Sequence, residues 1–437
     1  MKITFIRPNM FEAKSSAALQ PLVFSILKSL CPEDIETELI DERVEEIPRE
    51  LQTDLIAMTV ETFSAKRAFR IADHFRGKGI PVVMGGYHPT LEPDECLQHA
   101  DAVVIGDAEP NWSTLLKDFR KGEMKQKYDT TLPDKSFSTN HDRSIYKGKK
   151  YLPIHLVQWG RGCPHDCDFC SIKSFYPKSQ FMRPIDEVIK EISGFKDDNF
   201  LFLVDDNLYH NRKKFEAFLQ KIKPLKKKWA CQISLQVARN EKLVKLMHES
   251  GCVMALVGIE SFDEENLKLM NKSWNNAKQD YQSAIDVFRK NGIMIYGTFI
   301  FGYDHDTVAA FDKAIKFAVD NKFFIANFNP LYPMPGTKLY NRMNLNGRMP
   351  VKKWWADPDF YYGKSMFTPV NFTPEELEKY CYRAKLSFNS LSSIFYRLMD
   401  GKANAKGLKR ISLFLLANLT NRREIKRKQG LILAGKR

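Results

Sequence analysis

The chain has 437 residues, of which 43% are hydrophobic and 27% are charged. This composition excludes disordered, collagen-like and disulfide-scaffold proteins, and the length predicts two or three domains. No apolar run reaches the roughly 18 residues of a transmembrane helix. The N-terminal MKITFIRPNM lacks the apolar core and cleavage site of a signal peptide. We therefore expect a cytoplasmic protein whose cysteines are reduced.

The net charge of +14 is concentrated near the C-terminus. Residues 401–437 hold eleven lysines and arginines against one acid, Glu424, so that they account for +10 of the total. The rest of the chain is nearly neutral. The basicity therefore indicates a local surface for an anionic partner rather than a property of the whole fold.

The first 125 residues alternate short apolar runs with amphipathic stretches. Strands are predicted at 3–7, 38–41, 55–59, 81–85 and 102–106, and helices at 17–30 and 64–76. This alternation predicts an α/β domain built on a doubly wound parallel sheet, whose ligand would lie beyond the carboxyl ends of the strands. The polar, aperiodic residues 126–150 predict a linker.

A second alternating region covers residues 151–340. Strands are predicted at 154–159, 200–204, 230–235, 254–258, 294–300 and 324–331, and helices at 184–195, 212–221, 240–248 and 276–290. Six βα units predict a partial (β/α)6 barrel with its chemistry at the C-terminal ends of the strands. Residues 341–437 turn to a helical period and predict a helical C-terminal cap that ends in the basic tail.

Three cysteines fall within eight residues, directly after the first strand of the second region. Cys163, Cys167 and Cys170 form the pattern C-x3-C-x2-C. Thiolates this close on one loop are typical of an iron–sulfur cluster, whereas a structural zinc requires a fourth nearby ligand. His165 is poorly spaced to provide it. Three thiolates on a 4Fe–4S cluster leave one iron open for a substrate or cofactor.

The triplet, with Phe169 before its last cysteine, resembles the signature of radical S-adenosylmethionine enzymes. LVDDN at 203–207, GIES at 258–261, GTFIFG at 297–302 and PMPGT at 333–337 resemble further motifs of that family, in the expected order. The resemblance implies contacts to S-adenosylmethionine, and a position at the end of the third predicted strand of this region adds Gln232 and Ser234 as candidates. The full set of predicted contacts is Phe169, Asp205, Asp206, Gln232, Ser234, Glu260, Ser261 and Gly302.

A doubly wound domain in front of such a barrel resembles the cobalamin-binding subfamily. The cobalamin contacts that this resemblance implies are Asn9, Gly85, Gly86, His88, Thr90, Gly106 and Glu109. The motif D-x-H-x-x-G, whose histidine ligates cobalt, is absent, which leaves the cobalt ligand unassigned and permits a domain without cobalamin. Methylthiotransferases match poorly, because only Cys31 and Cys96 could supply the further cluster ligands that they carry in this domain.

The resemblance implies cleavage of S-adenosylmethionine to a 5′-deoxyadenosyl radical, with electrons from an external donor such as flavodoxin or ferredoxin. We expect cobalamin-dependent methylation of an unactivated carbon on a small, apolar lipid-like or natural-product substrate. The alternatives are a non-methylating radical oxidoreductase, cyclase or epimerase, and a non-catalytic iron–sulfur protein. Position alone offers four proton-donor candidates, and none is preferred: Tyr209, His210, Tyr296 and Tyr332.

The C-terminal region is aromatic-rich and then basic. Most of its aromatic residues are expected in a core, and the rest would cap the mouth of the barrel. The apolar segment 411–419, flanked by basic clusters, predicts an interfacial helix on an anionic inner-membrane surface. A solvated tail is an equal alternative, and nucleic-acid binding is the weaker one because no stacking platform accompanies the charge.

Overall fold

A computed structural model describes residues 1–12, 14–15, 17–130, 137–176, 180–209, 211–275 and 280–434. These residues form two compact units. The first unit contains residues 1–156 and 353–360 together with the described residues from Leu431 onward, and the second contains residues 157–352 and 361–430. The C-terminal region therefore contributes to both units.

The first unit is built on a sheet of six parallel strands. These are β1 (Lys2–Arg7), β2 (Glu36–Asp41), β3 (Leu55–Thr59), β4 (Val82–Gly85), β5 (Ala102–Ile105) and β6 (Lys127–Asp129). Their order is β2-β1-β3-β4-β5-β6. The chain starts inside the sheet, moves to one edge and then reverses, which is the predicted doubly wound topology.

Five helices accompany this sheet. They are α1 (Leu22–Ser29), α2 (Ala65–Arg76), α3 (Tyr87–Leu91), α4 (Pro93–Cys96) and α5 (Glu109–Lys121). Both faces of β1 are buried, as expected of a parallel strand covered by helices. The ring of Phe5 on this strand lies 5.5 Å from that of Phe24 on α1 and 6.0 Å from that of Trp112 on α5.

The second unit contains most of another six-stranded sheet, whose first strand crosses the boundary between residues 156 and 157. Its strands are β7 (Ile154–Val157), β10 (Phe200–Leu203), β11 (Trp229–Gln232), β12 (Cys252–Glu260), β13 (Met294–Phe301) and β14 (Ile325–Pro330). The sheet follows chain order, β14-β13-β12-β11-β10-β7, as the partial barrel requires. The pairs from β10 to β14 are parallel. A short antiparallel pair, β8 (Gly160–Arg161) and β9 (Phe181–Met182), precedes β10.

The remaining helices also belong to the second unit. They are α6 (Ser171–Phe175), α7 (Ile185–Ser193), α8 (Arg212–Ile222), α9 (Glu241–Glu249), α10 (Glu264–Leu269), α11 (Tyr281–Lys290), α12 (Val308–Asp320), α13 (Lys338–Leu345), α14 (Pro374–Phe388), α15 (Leu391–Leu398) and α16 (Leu408–Lys428). Within the described part of the chain, no helix has the length and apolarity needed to cross a membrane.

The structure differs from the sequence prediction in three places. The first helix begins at Leu22 instead of residue 17, because Pro21 precedes it in an extended conformation. Within the predicted linker, residues 127–129 form β6, where Tyr128 is 4% exposed and donates a hydrogen bond to Asp118. The predicted strand 230–235 ends at Gln232, and a short helical turn follows from Leu235.

Candidate functional site

The loop of residues 163–170, here called the cluster loop, lies between β8 and α6 of the second unit. All three of its cysteines line one pocket at the C-terminal ends of β10 to β13. The other residues that line it are His165, Phe169, Ile172, Lys173, Asp206, Asn207, Gln232, Ile233, Ser234, Leu256, Gly258, Glu260, Lys272, Trp274, Asn275 and Thr298. Five of the predicted S-adenosylmethionine contacts are therefore brought together with the cysteines: Phe169, Asp206, Gln232, Ser234 and Glu260.

Asp205 and Asp206 hold the backbone just ahead of the cluster loop. Asp205 is 1% exposed and accepts hydrogen bonds from the backbone N–H groups of Trp159 and Gly160. Asp206 accepts one from Gly162 at 2.8 Å. Since Gly162 directly precedes Cys163, these carboxylates fix where the cluster loop begins. Asp205 does not line the pocket.

Three buried polar atoms at the pocket have no hydrogen-bond partner among the described residues: Asn207 Nδ2, Ser234 Oγ and Asn275 Oδ1. The opposite end of the Asn207 amide is occupied, because its Oδ1 accepts from the Ser234 N–H at 3.0 Å. A buried polar group without a partner costs free energy unless a ligand or water satisfies it. The three atoms therefore suit a polar ligand, as the amine, carboxylate and hydroxyls of S-adenosylmethionine require.

Sequence reasoning missed an ion pair at the bottom of this pocket. Lys272 Nζ lies 2.8 Å from Glu260 Oε1, and both side chains are 8% exposed. Glu260 Oε2 accepts from the Thr298 hydroxyl at 3.2 Å. Burial lowers the pKa of Lys272, but the carboxylate of Glu260 and the thiol of Cys167 raise it, so that the pKa stays above its usual value. Lys272 is thus a fixed positive charge.

Aromatic residues close one side of the same pocket. The His165 ring stacks on Trp274, and Lys272 Nζ lies 5.7 Å from the centre of the Trp274 ring and 5.9 Å from that of Phe169. Burial, and then the charge of Lys272, lower the pKa of His165 to about 4. The imidazole is therefore neutral near pH 7.

The chemistry of the donor set fits a 4Fe–4S cluster. Burial raises the pKa of Cys170 to about 11, and burial likewise raises that of Cys163, so that the free thiols are protonated and must lose protons when iron binds. Among the described residues, no three His, Cys, Asp or Glu side chains lie close enough together to hold a single metal ion. A four-iron cluster takes each thiolate at a different iron, so its ligands do not have to converge on one point.

Besides Asp205, two predicted contacts lie outside this pocket, Ser261 and Gly302. The Ser261 hydroxyl accepts from the backbone N–H of Asp263 at 3.1 Å and lines a neighbouring pocket against α12. Gly302 has φ +112°, and a Cβ there would lie 2.7 Å from Phe367. Its N–H donates to Asp306 at 2.7 Å. Both residues shape the strand ends instead of lining the cysteine pocket.

The proton-donor candidates are spread out. The Tyr296 hydroxyl accepts from Asn327 Nδ2 at 2.8 Å, and burial raises the pKa of Tyr296 and Tyr332 above the usual value of a phenol. Both are therefore protonated near neutral pH. Tyr209 packs its ring against Phe215. His210 lies outside the described residues.

In the first unit, the predicted glycines lie at the ends of β4 and β5. Gly86 has φ +103°, and a Cβ would lie 2.9 Å from Thr59 Oγ1 and 3.1 Å from the Val60 carbonyl oxygen. Thr90 Oγ1 donates to the Gly86 carbonyl at 2.8 Å and accepts from the Gly106 N–H at 2.9 Å. Thr90 therefore ties the loop after β4 to the loop after β5.

The other cobalamin contacts predicted for this unit are His88, Asn9 and Glu109. His88 is fully buried, with Nε2 3.3 Å from Glu95 Oε2 and its ring 5.4 Å from that of Trp355. This ring therefore faces the interior of the unit. The backbone N–H of Asn9, just beyond β1, donates to Glu42 at 2.9 Å. Glu109 begins α5.

An apolar cavity lies beside these strand ends, between the sheet and helices α1 and α5. It is lined by Val23, Phe24, Leu27, Ala57, Met58, Thr59, Val83, Gly85, Gly86, Val104, Ala108 and Trp112. Two glycines without side chains at its rim let a ligand approach the backbone closely. The free volume of this cavity is about 40 Å³, so the cavity cannot hold cobalamin by itself, and only the glycine loops fit close backbone approach by such a cofactor.

Two family models match the chain. The Radical SAM superfamily model matches residues 157–318, and the B12 binding domain model matches residues 23–115. The first match starts at β7 and includes the cluster loop and β10 to β13. The second match includes the glycine loops after β4 and β5.

Two relatives from Chlorobaculum tepidum are similar over most of their length. Bacteriochlorophyllide d C-12(1)-methyltransferase is 31% identical over 405 residues, which cover 89% of this chain and 86% of the relative. Bacteriochlorophyllide d C-8(2)-methyltransferase is 30% identical over 354 residues, covering 76% and 78%.

A solved structure has the same fold along nearly the whole chain. It is the radical S-adenosylmethionine methyltransferase TsrM from Kitasatospora setae, solved with cobalamin and a [4Fe-4S] cluster bound. The TM-score is 0.67 at 13% sequence identity, and the match covers 98% of this chain and 99% of TsrM.

Proposed function

The chain belongs to the radical S-adenosylmethionine enzymes that carry a cobalamin-binding domain, and we propose that it transfers a methyl group to an unactivated carbon of an apolar substrate. Its cofactors are a 4Fe–4S cluster, S-adenosylmethionine and cobalamin. The proposal rests on one pocket, which brings Cys163, Cys167 and Cys170 together with three buried polar atoms that lack a hydrogen-bond partner among the described residues.

When bound, the cluster and S-adenosylmethionine supply a 5′-deoxyadenosyl radical, and cobalamin supplies a methyl carrier. The chain's own part is to bind, orient and exclude water. The three thiolates hold the cluster. Asn207, Ser234 and Asn275 offer partners to the polar groups of S-adenosylmethionine. In the first unit, the loops at Gly86 and Gly106 would hold cobalamin through close approach to their backbone.

One observation supports an apolar substrate. Two relatives with at least 30% identity are named for methylation of bacteriochlorophyllide d, a tetrapyrrole. We infer a large polycyclic substrate and an external electron donor such as flavodoxin or ferredoxin.

The test is product analysis with chain purified anaerobically from cells supplied with cobalamin. We expect about one cobalt and four irons per chain. With dithionite, S-adenosylmethionine and bacteriochlorophyllide d as the first probe, a methylase releases S-adenosylhomocysteine as well as 5′-deoxyadenosine. Release of 5′-deoxyadenosine alone, across a panel of tetrapyrrole and hopanoid probes, would favour a radical oxidoreductase, cyclase or epimerase instead. The Cys167→Ala variant is the blank for both products.

We also propose that the chain attaches peripherally to an anionic membrane surface through α15 and α16. Among the described residues, eight of the twelve exposed large apolar side chains lie between residues 391 and 419. Leu391, Phe395 and Met399 are spaced four residues apart along α15, so that they share one exposed face. Leu416 on α16 is 69% exposed, whereas Phe414 and Asn418 face the interior.

The charge of α16 indicates which partner suits this surface. Its last two turns carry Arg422, Arg423, Lys426, Arg427 and Lys428. Their one acid, Glu424, is already paired with Arg427 and Lys428 on the same helix. Each basic residue adds about 1 kcal/mol at an anionic leaflet, where exposed apolar side chains enter the headgroup region.

Sedimentation with vesicles tests this attachment. We expect the full chain to bind vesicles that contain phosphatidylglycerol, and to bind pure phosphatidylcholine much less. The double variant Leu416→Ser/Leu419→Ser should lose most of the binding, whereas Leu345→Ser, at an 87% exposed position on α13, should not. Equal sedimentation of all three proteins would overturn the proposal, and salt-dependent binding to RNA without vesicle binding would replace it with a nucleic-acid surface.

A further inference from the structure

One carboxylate inside the cluster loop is held by two distant parts of the second unit. Asp168, between Cys167 and Cys170, is 5% exposed. Its Oδ1 accepts from the Tyr303 hydroxyl at 2.6 Å, and its Oδ2 lies 2.7 Å from Arg342 Nη1. Tyr303 follows the end of β13, and Arg342 belongs to α13.

The backbone of Asp168 is held as well. Its N–H donates to the Met270 carbonyl at 3.0 Å, and its carbonyl accepts from the Leu339 N–H at 2.9 Å. Met270 lies just past α10, and Leu339 is in the first turn of α13. Asp168 therefore connects the cluster loop to the ends of α10, β13 and α13 through both its side chain and its peptide groups.

Asp166 offers a natural contrast two residues earlier. It pairs with Lys338 of α13, and its carbonyl accepts from Asn271 at 2.9 Å, so that it reaches the same two helices. However, the Asp166 side chain is 37% exposed and that of Lys338 is 67% exposed. An ion pair in contact with water contributes little, because solvent screens it and both side chains lose freedom.

We propose that Asp168 is a positioning residue, which fixes the cluster loop against β13 and α13 so that its three thiolates keep their spacing. A cluster with three protein ligands has one iron without a thiolate, and it relies on the remaining three for retention. A loop that is already ordered loses less conformational freedom when iron binds. We therefore expect the ordered loop to slow the loss of the cluster and to keep the iron that lacks a thiolate ligand in a fixed orientation.

The test compares Asp168→Asn with Asp166→Asn in the full chain, reconstituted anaerobically with iron and sulfide. Iron release to a chelator is followed with and without S-adenosylmethionine, and the reduced cluster is examined by electron paramagnetic resonance. We expect release from Asp168→Asn to be about ten times faster than from the unsubstituted chain, with an altered spectrum. Asp166→Asn should stay within about twofold, with an unchanged spectrum. Neither measurement depends on methyl transfer.

Equal iron release and identical spectra for Asp168→Asn and Asp166→Asn would overturn the proposal. If Asp168→Asn fails to fold, Arg342→Gln removes one of the two side-chain contacts while the Tyr303 hydrogen bond remains. We expect this variant to release iron severalfold faster, and Arg342→Lys to recover part of the loss. Unchanged release from Arg342→Gln, with thermal unfolding of the iron-free chain also unchanged, would equally reject a positioning role.

Discussion

The two units use the same local pattern, parallel strands joined by helices, to make two different kinds of site. In the first sheet the chain reverses direction between β1 and β3, and the candidate site there consists of the glycine loops after β4 and β5. In the second sheet the strands follow chain order, and successive strand ends contribute polar side chains to one pocket. The first candidate site therefore depends mainly on backbone groups, and the second on side chains.

The largest effect is expected when a thiolate of the second site is removed and the first site is left intact. Cys167→Ala removes one of three thiolates, so we expect the bound iron and the cleavage of S-adenosylmethionine to fall below detection. Cobalt content should stay near that of the unsubstituted chain, because the glycine loops belong to the other unit. Iron and cobalt analysis of anaerobically purified protein checks both. Cys381→Ala, a buried cysteine outside the pocket, is the control, and parallel loss of cobalt and iron would contradict separate sites.

A smaller effect is expected from the ion pair of the second site. Lys272→Met leaves Glu260 buried and unpaired, which we expect to cost about 3–5 kcal/mol of stability. The double variant Lys272→Met/Glu260→Gln should regain most of that stability but not the affinity for S-adenosylmethionine. Denaturant unfolding and equilibrium binding measure the two quantities.

The matched control for this pair is Lys268→Met. Lys268 pairs with Glu265, but the two side chains are 60% and 55% exposed, so that solvent screens the pair and little loss of stability is expected. If Lys272→Met is no more destabilising than Lys268→Met, the buried pair does not stabilise the second site.

Two glycines with positive φ test how much the first site depends on close packing of its backbone. Gly86 and Gly79 have φ of +103° and +80°, but only Gly86 has neighbours within 4 Å of an added Cβ. Alanine should cost about 1–2 kcal/mol at Gly79 through strain alone. We expect a larger loss at Gly86, together with lower cobalt content and unchanged iron. Equal losses at both positions would mean that close packing of the loop onto Thr59 is unimportant.

Local patterns predicted the strands and the cluster loop well, because the periodicity and the cysteine spacing lie in adjacent residues. Lys272 and Asn275 could not be predicted, since they carry no motif and reach the pocket only through the path of the chain after α10. Asp205 carries a motif, yet its carboxylate binds the backbone of Trp159 and Gly160. Sequence places such a residue at a strand end but does not reveal what its side chain contacts.

The same lesson applies to the first unit. The strand predicted at 81–85 does end at Gly85, so the predicted contacts Gly86, His88 and Thr90 follow a strand end. The interior direction of His88 depends on Glu95 and Trp355, and the latter is more than 250 residues away in the chain. The apolar cavity likewise combines side chains from two helices and three strands. Contacts over such separations leave no signal in a single sequence.

A pH-dependent effect is expected at the end of β13 in the second site. The Asp306 carboxylate accepts from the N–H groups of Gly302 and Tyr303 and from Asn266 Nδ2. Burial outweighs these bonds and raises its pKa from 3.8 to about 7. Because the folded chain holds this proton more tightly than the unfolded chain, the contribution to stability is complete below pH 4 and is lost as the pH rises to 7.

Asp306→Asn should therefore remove this pH dependence, since the amide oxygen can still accept from the backbone but does not titrate. Between pH 4 and 7 the unsubstituted chain should lose up to about 1.4 kcal/mol per pH unit through this one group. Denaturant unfolding of both iron-free chains at several pH values measures the difference, with Asp312→Asn, 65% exposed, as the control. Parallel curves for Asp306→Asn and the unsubstituted chain would mean that Asp306 is ionised throughout, and that the backbone at Gly302 stabilises a charge.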